Sequence, residues 1–456
     1  MTGTNPNELT ATDAGEMVRN GELSAVEWCE ACIAQVERCE ADIHAWAHFD
    51  PELVLRQACE VDEKRRAGAF DNPLWGAPFG VKDVFNTADL PTSMGSPIWK
   101  GFTPGNDARA VAHLRWAGGV MFGKTITAEF AVHHPGPTVN PHHPEYSPGT
   151  SSSGSAAAVA AMMVPLALGT QTAGSTIRPA SYCGVYGFKP SFGVVPRTGI
   201  LKTLDTLDHV SFLARSSEDL ELMFENARVR GVNHPYVHER IDGWTPEQLR
   251  KPFRVAFVRG PAWESAEPYA REAIEALAGQ WAKEPDIRLE EVELPDVFSE
   301  AHDIHNLVYT KALSYYFNEE YEENKKLISN VFKKMVETGR KITSDMYWKG
   351  IKQQQILQSK LDNFFEDYDF ILNLSTSGEA PKGLHGRDKK DNCLIWTLSY
   401  VPAVNLPVFK STNGLPFGAQ IVAPRYNDLS LLRFVREMKA KGLVQNWCEG
   451  SFNEKE

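Results

Sequence analysis

Two clusters of small residues on either side of an apolar segment constrain this chain more than any other feature. Residues 147–155 read SPGTSSSGS and residues 169–175 read GTQTAGS, while residues 156–168 between them carry no charge and are almost wholly apolar. Glycine lets a backbone approach a ligand closely and adopt φ values that larger residues resist. A flexible linker with such a composition is usually polar along its whole length. Because the intervening segment is suited to burial, the two clusters predict a site held against a core.

The composition predicts a soluble, folded protein with no nucleic-acid or membrane partner. Of the 456 residues 42% are hydrophobic, and the formal net charge is −12. An acidic chain without a basic block lacks the electrostatic signature of a nucleic-acid binder or a membrane-surface anchor. The first residues lack a signal-peptide pattern, and the apolar run of residues 156–168 is too short to span a bilayer. We therefore expect a cytoplasmic location.

The order of apolar runs and turns favours one α/β domain over residues 1–456. Residues 8–68 are expected to be helical, and residues 74–215 alternate short apolar runs with glycine- and proline-rich turns and helical segments. Such alternation is typical of strands and helices packed in layers. Residues 300–368 are predicted to form a variable, charged and aromatic helical region without obvious chemistry.

Five motifs in order resemble those of the amidase signature family. They are GVKD at residues 80–83, GTSSSGS at 149–155, TAGS at 172–175, CGVYGFKP at 183–190 and GLPFGAQ at 414–420. Several separate motifs at matching spacings are far more specific than a single short pattern. The resemblance implies a single-domain α/β fold in which a mixed central β-sheet is sandwiched by α-helices.

The resemblance also implies a Ser–cis-Ser–Lys catalytic triad. By motif, Ser175 corresponds to the nucleophile, Ser151 to the bridging serine and Lys82 to the base. A serine hydroxyl needs a base to take its proton as it attacks, and a lysine can be that base only when burial keeps it neutral. The same resemblance assigns the oxyanion hole to the backbone N–H groups of Thr172, Ala173 and Gly174. Each of the three triad residues taken alone has a commoner structural explanation, but the motifs taken together favour catalysis.

The second cluster departs from the common family pattern, which ends Asp-Thr-Gly-Gly-Ser-Ile-Arg. This chain has Gln171 in place of the aspartate and Ala173 in place of a glycine, and its arginine is Arg178, three positions after Ser175. The arrangement resembles the malonamidase-like branch, in which an arginine at that offset grips a substrate carboxylate. A guanidinium suits a carboxylate because it donates two parallel hydrogen bonds. A structural ion pair of Arg178 is the alternative.

Two further patterns resemble metal-ligand spacings. Cys29 and Cys32 form Cys-x-x-Cys, but no second pair follows at zinc-finger spacing, so both are expected to be small apolar residues of a helix. The pairs His133-His134 and His142-His143 lie in a proline-rich segment, where neighbouring side chains diverge. We expect this loop to supply one or two residues of the substrate pocket, with His133 and His134 as candidates, and no metal site.

The main functional hypothesis is an amidohydrolase that cleaves the C–N bond of a small, linear carboxamide through a serine acyl-enzyme. A carboxylate-bearing amide is one option for its substrate. The alternatives are the glutaminase (A-type) subunit of a tRNA-dependent amidotransferase and an acyltransferase that passes the acyl group to an amine. No cofactor is expected. The expected partner is a small amide, and a homodimer formed through the helical N-terminus is left open.

Overall fold

One large mixed β-sheet organises the chain, as the family resemblance implied. The computed structural model describes residues 5–68, 72–231, 238–386 and 388–444. In those residues the strands follow the order β1-β3-β2-β4-β6-β5-β10-β11-β9-β7-β8 across the sheet. Their bounds are β1 Trp46–Phe49, β2 Pro78–Lys82, β3 Val120–Thr125, β4 Leu166–Gln171, β5 Tyr186–Lys189, β6 His209–Ala214, β7 Phe253–Phe257, β8 Ile287–Glu291, β9 Phe370–Leu374, β10 Ala403–Lys410 and β11 Pro416–Val422.

Helices flank the sheet and complete a single domain. Their bounds are α1 Ala11–Asn20, α2 Ala25–Ile43, α3 Pro51–Arg66, α4 Arg109–Trp116, α5 Ser153–Ala160, α6 Ile177–Cys183, α7 Ser217–Ala227, α8 Glu239–Asp242, α9 Pro268–Trp281, α10 Ala301–Tyr316, α11 Asn318–Glu323, α12 Asn330–Arg340, α13 Ser344–Phe364, α14 Cys393–Leu398 and α15 Asp428–Ala440. None of the helices within the described residues is long and apolar enough to cross a membrane.

Parallel pairing of β2 with β4 brings the upstream lysine to the two small-residue clusters. Val81 pairs with Leu168, so the carboxyl ends of the two strands meet at one edge of the sheet. Lys82 is the last residue of β2, and the second cluster begins inside β4 and continues past its end at Gln171. Both strands are buried along their whole length, as expected of near-continuous apolar runs in parallel strands.

The first cluster lies against the sheet because one of its residues has no side chain. The Gly154 N–H donates to the Ile126 carbonyl at 3.0 Å. A Cβ atom at Gly154 would lie 2.3 Å from the Ala45 carbonyl oxygen and 2.4 Å from the Ile126 nitrogen. Only glycine fits between these two backbone segments. The start of α5 is thereby held where the chain of residues 151–153 can face the ends of β2 and β4.

The N-terminal segment differs from the sequence expectation in one respect. Residues 8–68 are not helical throughout, because β1 interrupts them and pairs antiparallel with β3 at the edge of the sheet. A strand of four residues is too short for its pattern to outweigh the helical segments on either side. Cys29 and Cys32 are buried residues of α2, as expected. No cluster of potential metal ligands occurs within the described part of the chain.

Candidate active site

Lys82 is fully buried and its amine contacts three hydroxyl groups. The Nζ atom lies 2.7 Å from Ser151 Oγ, 3.0 Å from Ser152 Oγ and 2.8 Å from Thr170 Oγ1. The two serines come from the chain leading into α5, and the threonine comes from β4. The structure therefore brings together Lys82 and Ser151, which are 69 positions apart in the sequence.

Burial sets the protonation state of this lysine. Desolvation lowers the pKa of Lys82 well below its ordinary value, and the carboxylate of Asp208 opposes that shift. Asp208 lies immediately before β6 and accepts hydrogen bonds from Thr172 Oγ1 at 2.6 Å and from Thr203 Oγ1 at 2.5 Å. Burial raises the pKa of Asp208, although these hydrogen bonds favour its charged form. Sequence reasoning missed Asp208, since no motif marks it.

Ser151 and Ser175 lie on adjoining backbone segments. The peptide bond between Thr150 and Ser151 is cis. The Ser152 N–H donates to the Ser175 carbonyl at 3.2 Å, which holds the two clusters side by side. Ser151 is buried, whereas Ser175 is partly exposed. Among the residues that the structure describes, the Ser175 hydroxyl makes no hydrogen bond; such bonds are often long before a substrate is bound.

The backbone of residues 172–174 is held through its carbonyl groups, and its N–H groups are free. His305 of α10 donates from Nε2 to the Thr172 carbonyl at 3.0 Å, and Thr397 of α14 donates from Oγ1 to the Ala173 carbonyl at 2.7 Å. In the described residues the N–H groups of 172–174 donate to no protein acceptor. Donors fixed in this way can meet a developing negative charge without reorganising.

Gln171, which replaces the family's aspartate, links the second cluster to its neighbours. Its Oε1 atom accepts from the N–H groups of Thr176 and Ile177 at 3.0 Å each, at the start of α6. Its Nε2 atom donates to Thr397 Oγ1 at 3.1 Å. Since the same threonine hydroxyl donates to the Ala173 carbonyl, one glutamine side chain orders both ends of the loop. An aspartate could accept the first two hydrogen bonds but could not donate the third.

Arg178 is buried beside the loop and already paired with two carboxylates. Its Nε atom lies 2.8 Å from Asp391, and its Nη1 atom lies 3.3 Å from Asp388. Burial alone would lower the pKa of Arg178, but the two carboxylates outweigh it and raise the pKa above its ordinary value. A Cβ atom at Gly174 would lie 2.9 Å from Arg178 Nη2, so the guanidinium packs directly against the loop. This arrangement corresponds to the structural alternative for Arg178.

The two histidine pairs have different partners. Desolvation and the charge of Arg178 lower the pKa of His133 to about 4. The ring of His134 lies 5.6 Å from that of His385. His142 Nε2 instead lies 2.9 Å from the Cys183 carbonyl, and His143 packs against a tyrosine. His133 thus lies within the electrostatic influence of Arg178, and His142 contacts the last residue of α6, the helix that contains Arg178.

A cavity of about 430 Å³ lies on the Asp208 side of the loop. Thr170 and Thr172 form part of its wall, and residues 193–203 form much of the rest. Its lining includes none of the three predicted triad residues. Thr172 of the loop thus lines the cavity, and Arg178 packs against Gly174 of the same loop.

Comparison with protein-family models decides the family. The model described as Amidase matches residues 27–432, nearly the whole chain. The chain belongs to the Amidase family. All five motifs that resembled the amidase signature lie within the matched span. The predicted family is therefore confirmed, but the malonamidase-like branch is not singled out.

Curated relatives of this amidase include proteins named as the A subunit of glutamyl-tRNA(Gln) amidotransferase. The one from Lachnospira eligens is 31% identical, over 93% of this chain and 96% of its own length. The one from Chloroflexus aggregans is 32% identical, over 93% and 94%. These relatives agree better with the amidotransferase alternative than with a stand-alone amidohydrolase.

Solved structures of other proteins share the fold. One belongs to a vestigial protein complex that reveals the evolutionary origins of an s-triazine catabolic enzyme; it is 25% identical, with a TM-score of 0.86 over 96% of this amidase and all of that chain. Native peptide amidase from Stenotrophomonas maltophilia is 23% identical, with a TM-score of 0.81 over 95% and 97%. The second likeness concerns the fold alone.

The expected partners of this amidase need correction. A small amide as the partner, no nucleic acid and a homodimer left open were the expectations from the sequence. The relatives are instead named as subunits of an enzyme whose name includes a tRNA. The expectation was wrong because net charge describes a whole chain and carries no information about other subunits or about one local surface.

Proposed function

We propose that this chain is the glutaminase (A-type) subunit of a tRNA-dependent amidotransferase. The observation that carries the proposal is a buried lysine amine 2.7 Å from Ser151, in a chain related along 93% of its length to proteins of that name. The subunit would release ammonia from an amide such as glutamine for use by its assembly. We also propose a cytoplasmic location, because an enzyme that acts on tRNA needs access to tRNA.

The three hydroxyl groups around Lys82 support a neutral amine. A neutral amine has two N–H donors and one lone pair, and it has three partners here. We assign the two donors to Ser152 and Thr170, which leaves the lone pair to accept the Ser151 hydroxyl proton. Desolvation supports this assignment, since it lowers the pKa of Lys82 well below its ordinary value.

The reaction then proceeds by proton transfer along two serines. Ser175 Oγ attacks the amide carbon as its proton passes to Ser151 Oγ, and the Ser151 proton passes to Lys82. The tetrahedral oxyanion receives hydrogen bonds from the free N–H groups of residues 172–174, each typically worth about 2.7–4 kcal/mol in the transition state. Return of the proton to the leaving nitrogen releases ammonia and leaves an ester on Ser175. Water, activated by the same relay, frees the acid and regenerates the serine.

The charges beside the loop support a substrate with an ammonium group. Two carboxyl groups, those of Asp388 and Asp391, pair with the single guanidinium of Arg178, so the cluster is net negative at any pH at which both are ionised. A guanidinium that already has two carboxylate partners is a poor anchor for a third. We propose that Arg178 orders the two aspartates against Gly174. We propose that Asp388, whose side chain is 20% exposed, accepts a hydrogen bond from a substrate ammonium such as the α-amino group of glutamine.

The proposal is tested by measuring glutamate formed from glutamine. The chain is assayed alone and together with the remaining subunits of a glutamyl-tRNA(Gln) amidotransferase from a relative such as the Chloroflexus aggregans enzyme. We expect turnover to rise at least about tenfold in the assembly, and amidation of glutamyl-tRNA(Gln) to depend on the added chain. Equal turnover of glutamine and of unrelated small amides by the chain alone, with no effect of the subunits, would refute the proposal.

A stand-alone amidohydrolase acting on linear amides is the second candidate. One observation favours it: Gln171 and the offset of Arg178 depart from the common family pattern and resemble the malonamidase-like branch. Assay of Arg178→Ala on paired amides with and without a carboxylate tests whether the arginine anchors a substrate carboxylate. Selective loss on the carboxylate-bearing amide supports the anchor of the malonamidase-like branch, and equal loss on both supports the structural role. Turnover of small linear amides by the chain alone, unchanged by the added subunits, supports the amidohydrolase. Added hydroxylamine tests acyl transfer to an amine on the same proteins.

A further inference from the structure

Residues 325–360 form a strongly basic segment within an acidic chain. They contain eight lysines and one arginine against two acidic residues, so the segment has a net charge of +7 while the whole chain has −12. The segment comprises α12, most of α13 and the turns that lead into them, and every residue in it is described by the structure. We call it the basic segment. The net charge of the whole chain does not reveal this local excess of positive charge.

The charges of the basic segment are largely unpaired within the part of the chain that the structure describes. Lys325 lies 4.0 Å from Glu337, and Arg340 lies 2.5 Å from Glu322. Seven other lysines have no carboxylate of a described residue within ion-pair distance, and six of them are exposed while Lys333 is half-buried: Lys326, Lys333, Lys334, Lys341, Lys349, Lys352 and Lys360. Unpaired like charges repel one another and weaken the fold, so they favour a ligand of opposite charge.

Exposed apolar side chains lie on the same helices. Tyr315 near the end of α10 is 75% exposed and Trp348 on α13 is 61% exposed. Four smaller apolar side chains of the basic segment are also exposed: Leu327, Val331, Met346 and Ile356. Most of the large apolar side chains exposed in the described residues therefore occur in this one region.

Both helices of the basic segment pack against α10. Gly339 of α12 packs against Thr310 and Ser314 of α10, and Gly350 of α13 packs against Leu307 and Val308 of the same helix. Both helices thus lie against α10, with Tyr315 at its carboxyl end. The same α10 carries His305, which holds the loop of residues 172–174. The lysines and the two aromatic rings consequently belong to one helical layer.

We propose that the basic segment, with Tyr315, is an RNA-binding surface that holds the phosphate backbone of tRNA. The choice of RNA rests on the proposed function, in which the assembly acts on a tRNA-bound substrate. Lysine is a point charge suited to phosphate but depleted from protein interfaces, whereas exposed tyrosine and tryptophan offer stacking faces to unpaired bases. An acidic protein is the competing occupant, because the four smaller apolar side chains would suit it.

Binding of a fluorescein-labelled tRNA(Gln) transcript, followed by anisotropy between 50 and 200 mM KCl, tests the surface. The charge-reversal variant is Lys334→Glu/Lys349→Glu/Lys352→Glu. The matched control, Lys64→Glu/Lys100→Glu/Lys283→Glu, makes the same change in net charge at exposed lysines elsewhere. We expect the affinity of the unmodified chain to fall steeply with salt. The charge-reversal variant should bind at least about tenfold more weakly, with a salt slope reduced by roughly two to three, while the control changes about twofold or less.

A second pair of measurements separates RNA from an acidic protein. Tyr315→Ala/Trp348→Ala should weaken tRNA binding about tenfold while leaving the salt slope unchanged, because stacking releases no counterions. Poly-L-glutamate should displace tRNA only when it supplies far more negative charge than the tRNA itself carries. Equal displacement by poly-L-glutamate, with no effect of the aromatic substitutions, would assign the surface to an acidic polypeptide and overturn the proposal.

Folding and the proposed function are checked on the same proteins. If thermal unfolding shows that charge reversal destabilises the chain, glutamine replaces glutamate at all six positions in the variant and the control. Failure of the unmodified chain to bind tRNA, or equal loss in the variant and the control, overturns the proposal. Glutaminase activity without tRNA binding rejects this surface alone, and tRNA binding without glutaminase activity in the assembly rejects the proposed function alone.

Discussion

Burial and the carboxylate of Asp208 shift the pKa of Lys82 in opposite directions. Desolvation lowers its pKa, and Asp208 raises it, so the working pKa reflects the balance of the two. The base is active only when neutral. The rate constant kcat/KM should therefore rise with pH through the pKa of Lys82 and reach its plateau well below the range of an ordinary lysine.

Removal of the Asp208 charge should shift that rise toward acid. In Asp208→Asn the opposing carboxylate is gone, so the pKa of Lys82 falls further and the midpoint of kcat/KM moves to lower pH. Asp205→Asn is the control, because Asp205 lines the same cavity but is not among the charges that shift the pKa of Lys82. The dependence of kcat/KM on pH is measured for both variants. A midpoint that moves to higher pH in Asp208→Asn would contradict this account of the base.

His305 is predicted to position the loop of residues 172–174. In His305→Ala the Thr172 carbonyl loses its donor, and we expect kcat to fall about 10- to 100-fold with little change in KM, since a small displacement of oxyanion donors is costly. His305→Gln keeps an N–H donor near the position of Nε2 and should recover most of the loss. Similar kcat values for the two variants, at equal thermal stability, would show that His305 only fills space.

Sequence reasoning found the residues that lie in local motifs and missed those that act across the fold. Lys82, Ser151 and Ser175 stand in three recognisable motifs. His305 and Thr397 meet the loop from positions 133 and 224 residues away, on helices outside the motifs. Their hydrogen bonds arise from tertiary packing, and a single sequence carries no local signal for such contacts.

Among the elements, α5 depends on a glycine for its place against the sheet. Gly154→Ala puts a methyl group into the backbone of Ala45 and Ile126, so we expect a loss of stability of about 1–3 kcal/mol and loss of activity. Gly279→Ala is the matched control, because that glycine lies in the exposed part of α9 with no atom near its Cβ position. The control should gain up to about 1 kcal/mol. Thermal midpoints of both variants check the prediction; equal midpoints would refute it.

Strands and helices with long or strong patterns were predictable, and the order of the strands was not. The apolar runs of β2 and β4 and the glycine-rich turns around them are visible in the sequence. Phe79 of β2 pairs with Leu166 of β4, although β3 and α5 lie between the two strands in the sequence. Local periodicity does not encode such a pairing across intervening elements. The family resemblance supplied the mixed sheet instead.

At the scale of the whole molecule, the net charge was a poor guide to binding partners, whereas the charge of one segment was informative. A net charge of −12 favoured a chain without nucleic-acid partners, but the relatives are subunits of a tRNA enzyme and residues 325–360 carry +7. Surface charge is distributed, and binding depends on the local field within about one Debye length, roughly 10 Å at 0.1 M salt. The acidic and basic parts of this chain therefore need to be considered separately.

Labelling of the assembled enzyme with a fluorophosphonate tests the central claim most directly. The claim is that Ser175, activated through Ser151 and Lys82, attacks glutamine within an amidotransferase assembly. Peptide mass spectrometry should find one label, on the peptide that contains Ser175. Labelling should slow when glutamine is added and should vanish, together with turnover, in Ser175→Ala. A label on another residue, full turnover by Ser175→Ala, or labelling indifferent to glutamine would contradict the account.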